Sequence, residues 1–148
     1  MTGNALLLSI KPRFADAIFA KAKGVELRRV RPRVSAGDLI LVYVTSPRCA
    51  LEGAFEVERV LEARPSALWQ SVRRTAGITK TEFDDYFRGS KAAYGIVVRR
   101  VWKLAPVSLA ALRRARIRPP QSYHYIDAVK ALRLGDKITD RPAVLKTR

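Results

Sequence analysis

The stretch Lys21-Ala22-Lys23-Gly24-Val25-Glu26-Leu27-Arg28 changes its period halfway, and that change decides the fold. Before it, Phe14, Ile18, Phe19 and Ala22 recur at helical spacing, so an amphipathic helix is predicted over Arg13–Lys23. Pro12 suits the first turn of that helix, and Gly24 is placed to end it. After it, Val25–Arg29 alternates apolar and polar residues, which is the period of a strand. Lys23 therefore sits at a helix-to-strand turn, with Glu26 and Arg28 on one face of the strand that follows.

Working outward, Asn4–Ile10 is a short apolar run that reads as a buried strand. Downstream, Ala36-Gly37-Asp38 is a turn, Leu39–Val44 is a central strand, and Ser46-Pro47-Arg48 breaks it. Leu51–Leu61 is a further strand, with Gly53 marking a bulge. Pro65 opens a helix buried through Leu68, Trp69 and Val72. Thr79-Lys80-Thr81-Glu82 is a capping box, and Phe83, Tyr86 and Phe87 follow it at helical spacing until Gly89. Ala92–Leu104 is a long strand, Pro106 opens a short helix through Arg114, and Ser122–Ile126 follows a stiff Pro-Pro turn. Strands adjacent in sequence pair antiparallel, and segregated helices make the class α+β. The expected architecture is one mixed, curved, partly closed β-barrel of five to six strands with peripheral helices. Residues 1–133 are expected to form one domain, and residues 134–148 a basic, mobile tail.

Composition excludes several classes. One cysteine, Cys49, permits no internal disulfide, and one histidine, His124, permits no His-pair metal site. No metal and no cofactor are expected. No apolar run approaches the roughly 20 residues of a membrane span, and Met1–Ser9 lacks a basic leader, so a soluble, cytoplasmic protein without a membrane partner is expected.

The charge points to a polyanion. Among 148 residues, 29 are Lys or Arg against 13 Asp or Glu, a formal net charge of +16. It is uneven: 8 basic and 2 acidic residues give +6 over 1–35, 2 and 5 give −3 over 36–62, and 13 and 3 give +10 over 96–148. A basic face built from both ends follows, with Lys11, Arg13, Arg28, Arg29, Arg31, Arg33, Arg99 and Arg100 as its candidates. Lys11 and Arg13 flank a helix start, where backbone donors suit phosphate. Solvated loops and simple solubility are the competing explanations of such runs.

Lys23, Glu26 and Arg28 are the candidate chemical cluster. Arg28 can grip a phosphate while Glu26 orders the cations. A desolvated Lys23 can pass protons, and Glu26 can activate water, which makes these two the catalytic candidates if the protein is an enzyme. An ordinary ion pair at a sheet edge is the competing explanation. Tyr43, Ser46, Ser122 and Tyr123 are polar and aromatic groups suited to an unpaired base, or else they complete the core.

Leu8-Ser9-Ile10-Lys11-Pro12-Arg13-Phe14, leading through a helix to the Lys21–Arg28 stretch, resembles the ASCH family of the PUA-like superfamily. The family pattern is Gly-x-Lys-x-x-Glu-x-Arg, and Lys23, Glu26 and Arg28 fall on its Lys, Glu and Arg. Lys21 replaces the family glycine, so Gly24 is expected to take over the turn. Gly37-Asp38-Leu39 before an apolar strand is similar to the family's next element. The resemblance implies a PUA-like pseudo-barrel with a cleft beside the first helix. It also implies RNA as partner, single-stranded or with unpaired bases, or else a nucleotide, including modified bases. The leading expectation is thus an RNA-binding protein. One alternative is a metal-independent hydrolase, a ribonuclease or nucleoside amidohydrolase, in the same cleft. The other is a non-enzymatic protein-interaction module. Oligomeric state is not legible.

Overall fold

The computed structural model describes residues 4–119 and 123–127. Ser122 and the 134–148 tail lie outside the described residues. Strand β1 (Asn4–Ile10) leads to helix α1 (Pro12–Phe19) and strands β2 (Val25–Arg28), β3 (Leu39–Val44) and β4 (Ala50–Ala63). Helices α2 (Pro65–Val72) and α3 (Lys80–Tyr86) follow, then β5 (Ala93–Ser108), α4 (Leu109–Arg114) and β6 (Tyr123–Asp127). The six strands form one sheet in the order β2-β5-β4-β3-β1-β6. Only β1 and β3 run parallel; every other neighbouring pair is antiparallel. This is the mixed α+β sheet that the sequence predicts.

Strand β3 and the Ala5–Leu8 part of β1 are apolar without interruption because both their faces are covered. Leu6, Leu8 and Ile10 join Ile40, Val42, Val44, Phe55, Val57 and Ile96 under Ala15 and Ile18 of α1. On the other face Ala5, Leu7, Leu39, Leu41, Tyr43 and Leu51 pack with Leu112 and Ile117 from α4 and its exit. A third cluster seats Val25 and Leu27 of β2 on Leu68, Val72, Ala76, Phe83 and Phe87. The capping box at Thr79 is formed in both directions, and Gly89 ends the following turn with φ +79°.

Three local expectations are corrected. Helix α1 stops at Phe19, four residues before Lys23, and Lys21, at the glycine position of the pattern that the sequence resembles, itself takes the left-handed backbone (φ 61°). Gly24 is not left-handed; it donates its amide to the Thr75 carbonyl (2.8 Å). Pro106 opens no helix. It lies within β5, in the stretch where the ladder to β4 skips from Leu51↔Val107 to Gly53↔Lys103, so its missing N–H is not needed.

That register shift bears out the bulge expected at Gly53. A Cβ there would lie 2.2 Å from Phe19 Cε1 and 2.7 Å from the Trp102 carbonyl. Gly53→Ala is therefore expected to cost about 1–3 kcal/mol through overpacking, read as a lower urea midpoint.

Candidate functional site

The sheet curls until its edge strand β2 meets the end of β1. Among the described residues the β1–β6 pairs end at Leu8↔Tyr123. One residue on, Arg28 of β2 donates to the Ser9 carbonyl (2.9 Å), and it also donates to the Glu26 carboxylate (2.9 Å). A side chain, not a ladder bond, thus closes the half-barrel. Glu26 pairs with Ile96 in the β2–β5 ladder, which directs Glu26 and Arg28 to the α1 side of the sheet. Both are nearly inaccessible, at 6% and 9% exposure.

Lys23 completes the seam. It is 2% exposed, donates to the Ala76 carbonyl, and holds its ammonium 5.0 Å from the Phe14 ring centroid. Burial holds its pKa below the usual lysine range. The Arg13 and Arg28 charges act in the same direction, while Glu26 and Glu82 oppose them. Between that lowered value and the ordinary 10.5, the unfolded chain carries a proton that the folded chain lacks. Stability therefore rises with pH in this window, and the penalty of the buried cation is present in full below it. Urea midpoints on the alkaline side are expected to climb more in the parent protein than in Lys23→Met; equal climbs would contradict the assignment.

The α2–α3 segment forms the opposite wall. Gly77 (φ +68°) has no room for a side chain, since a Cβ there would lie 2.9 Å from Lys23 Cβ. Glu82 of α3 pairs with Arg13 of α1 beside the seam. Arg13 lies over the Phe14 ring at 4.6 Å, and Arg29 over the Tyr86 ring at 4.6 Å. Tyr86 donates its hydroxyl to the Leu27 carbonyl (3.3 Å), and burial raises its pKa. Charge therefore alternates along Arg28, Glu26, Lys23, Glu82 and Arg13. The sequence reading missed Phe14, Ala76, Gly77, Glu82 and Tyr86 as seam residues. The capping box located the start of α3 but carried no information on what α3 faces.

The other candidates disperse. Lys11 and Arg33 are exposed. Arg31 pairs with Glu62 (2.5 Å), while Arg99 and Arg100 share Glu56 at 3.2 and 3.6 Å. Arg28 is buried in the seam rather than displayed on a surface face. Tyr43 is 6% exposed, because alternation along β3 turns it toward Leu41, Leu51 and Leu112. Its ring is core, not a stacking platform, and burial pushes the pKa of its hydroxyl up, with the Cys49 thiol beside it acting in the same direction. Ser46 is exposed on the loop after β3. Arg48 ties that loop to α1 through a two-bond fork to Asp16 (2.8 Å each) and also bonds Glu52. Tyr123 enters the sheet opposite Leu8.

A curled half-barrel with peripheral helices and a buried cation–carboxylate seam at the end of its parallel strand pair defines a PUA-like α+β protein. The ASCH domain family model matches residues 8–105, and the chain belongs to that family. An ASCH domain-containing ribonuclease of Zymomonas mobilis is 30% identical over 122 residues, spanning 81% of this chain and 82% of that one. A crystal structure of an ASCH protein from the same organism superposes with a TM-score of 0.86 at 27% identity, covering 91% of this chain and 96% of that one. Large ribosomal subunit protein uL22 of Ureaplasma parvum is 29% identical over 103 residues, but the chain spans only 33% of it. Among the described residues, no helix is long and apolar enough to cross a membrane.

Proposed function

We propose that this protein binds RNA and takes a nucleotide or unstacked base at the Lys23–Glu26–Arg28 seam. The observation that carries this reading is the burial of Lys23 and Arg28 together at the closure of the half-barrel. Burying two cations in one seam is costly, and a bound phosphate would offset that cost. Arg13 and Arg29 stand at its rim, and Phe14 and Tyr86 are the aromatic rings beside it. An incoming phosphate competes with Glu82 for Arg13, so ligand entry parts α1 from α3 at that point.

A second reading is favoured by the lowered pKa of Lys23 and by the ribonuclease name of the Zymomonas relative. Neutral Lys23 takes the proton of a ribose 2′-hydroxyl as that oxygen attacks phosphorus. The bond to the 5′-oxygen breaks, and that oxygen takes a proton from water. Arg28 neutralises charge that builds on the phosphorane.

Titrating single-stranded RNA at several salt concentrations, alongside a turnover assay with and without chelator, tests both. Binding is expected to weaken steeply with salt, because releasing counterions gains less as their bulk concentration rises. Salt-independent binding, or none, would leave the protein-interaction reading in its place.

A further inference from the structure

Most cations predicted to form the anion-binding face are already matched. Arg13, Arg28, Arg31, Arg99 and Arg100 each sit against a carboxylate. A dense group of cations without an ion pair among the described residues lies elsewhere. Arg113, Arg114, Arg116 and Arg118 fall within six residues at the end of α4, are all exposed, and form no ion pair among the described residues. The helix dipole accounts for Arg113 and Arg114 in the last turn. It does not account for Arg116, which holds the left-handed backbone (φ 60°) past the helix, where glycine is the usual residue. Nor does it account for Arg118 beyond it.

The position of α4 is fixed. Its first residue, Leu109, donates to the Cys49 carbonyl (3.2 Å) on the loop leaving β3, and Leu112 packs in the core cluster that holds Tyr43. Tyr43 is the register partner of Ser9, whose carbonyl receives Arg28. The arginines therefore belong to a helix on the face opposite α1, tethered at the same end of the parallel strand pair as Ser9, so a strand that passes around that end reaches both them and the seam. The chemistry of the partner follows from what accompanies the charge. Protein interfaces and membrane-seated helices need apolar anchors. Val30 is the one large apolar side chain exposed among the described residues, and it is far from α4 in sequence. Four guanidinium forks with no apolar anchor beside them among the described residues suit a repeating phosphate.

We propose that Arg113, Arg114, Arg116 and Arg118 form a second contact surface, which grips the sugar-phosphate backbone of a single RNA strand whose nucleotide occupies the seam. This rests on the RNA reading above, and the two can fail separately. Uridine monophosphate is too short to engage both places and reports on the seam alone. An oligouridylate of about a dozen nucleotides, within the usual span of single-strand sites, reports on both.

The expected result is that the oligomer binds the parent protein more tightly than the monophosphate. Replacing Arg113, Arg114 and Arg116 together by Gln should weaken the oligomer at least tenfold. It should also flatten the log–log salt slope by about 2, at about 0.7 per lost single-strand contact. Monophosphate binding should be unchanged. Arg116→Gly alone, which removes a charge while suiting the left-handed backbone, keeps the fold and should lose about 0.7 of slope. An unchanged slope in both variants overturns the surface, as does an oligomer no tighter than the monophosphate; in either case the seam reading stands if Lys23→Met still weakens the monophosphate. Failure of the parent protein to bind either RNA probe overturns both. Charge-dependent capture of phosphatidylserine vesicles without capture of the oligomer replaces RNA by a lipid surface.

Discussion

Lys23→Met is expected to weaken nucleotide binding at least tenfold and, where RNA is cut at the seam, to lower turnover by about 100- to 10,000-fold, the usual range for removing an acid–base group. The same change should leave the protein as stable as before or more so. Methionine keeps most of the volume of the lysine stem against Phe14 and Gly77, and it removes a cation that burial disfavours. Replacing a buried charge by a well-packed apolar group is often neutral or stabilising. Loss of function at undiminished urea midpoint is therefore the signature of a ligand-facing lysine. Full binding and full turnover in Lys23→Met would falsify the seam as the site.

Glu26→Ala should act in the opposite way, through the fold. Arg28 and Glu26 have side-chain exposures of 11% and 7% and are 2.9 Å apart. Removing the carboxylate takes the Glu26 charge away from a buried guanidinium, and breaking such a pair typically costs about 3–5 kcal/mol. Because Arg28 also closes the half-barrel onto the Ser9 carbonyl, the loss should appear as a lower unfolding midpoint and as faster amide exchange in β2. Glu26→Gln keeps a hydrogen-bond acceptor for Arg28 and should recover part of it. If Glu26→Ala unfolds at the midpoint of the parent protein, the pair contributes nothing to closure. The two variants thus separate the chemistry of the seam from its mechanical role.

Strand periods, turn residues and the capping box made nearly every element of the sheet legible in the sequence, because each depends on residues within a few positions of one another. The boundaries that failed depend on distant partners. Helical spacing alone carries α1 through Lys23, because Ala22 fits it. The chain instead turns at Lys21 so that Lys23 can reach the Ala76 carbonyl, more than fifty residues away. Pro106 was read as a helix start because the register skip that tolerates it is visible only with β4 alongside. At the site, the motif placed Lys23, Glu26 and Arg28 in one short stretch, and the structure brings them to one seam. Their surroundings were hidden. Nothing near Glu82 or Tyr86 in the sequence says that they face Arg13 and Arg29. Nor does anything near Arg31 or Arg99 say that Glu62 and Glu56 already neutralise them.

The sheet order has a consequence for how the chain is made. Strand β1 is translated first, yet it lies between β3, which follows some thirty residues later, and β6, near the other end of the described chain. Its β3 edge can be covered early in synthesis. Its other edge, an almost wholly apolar strand, has no partner until Tyr123–Asp127 has left the ribosome. Such long-range pairing slows folding, and an open apolar edge invites pairing with another nascent chain. Expression yield should therefore fall sharply when the codons between β5 and β6 are slowed, and it should recover when a chaperone that holds extended apolar segments is supplied.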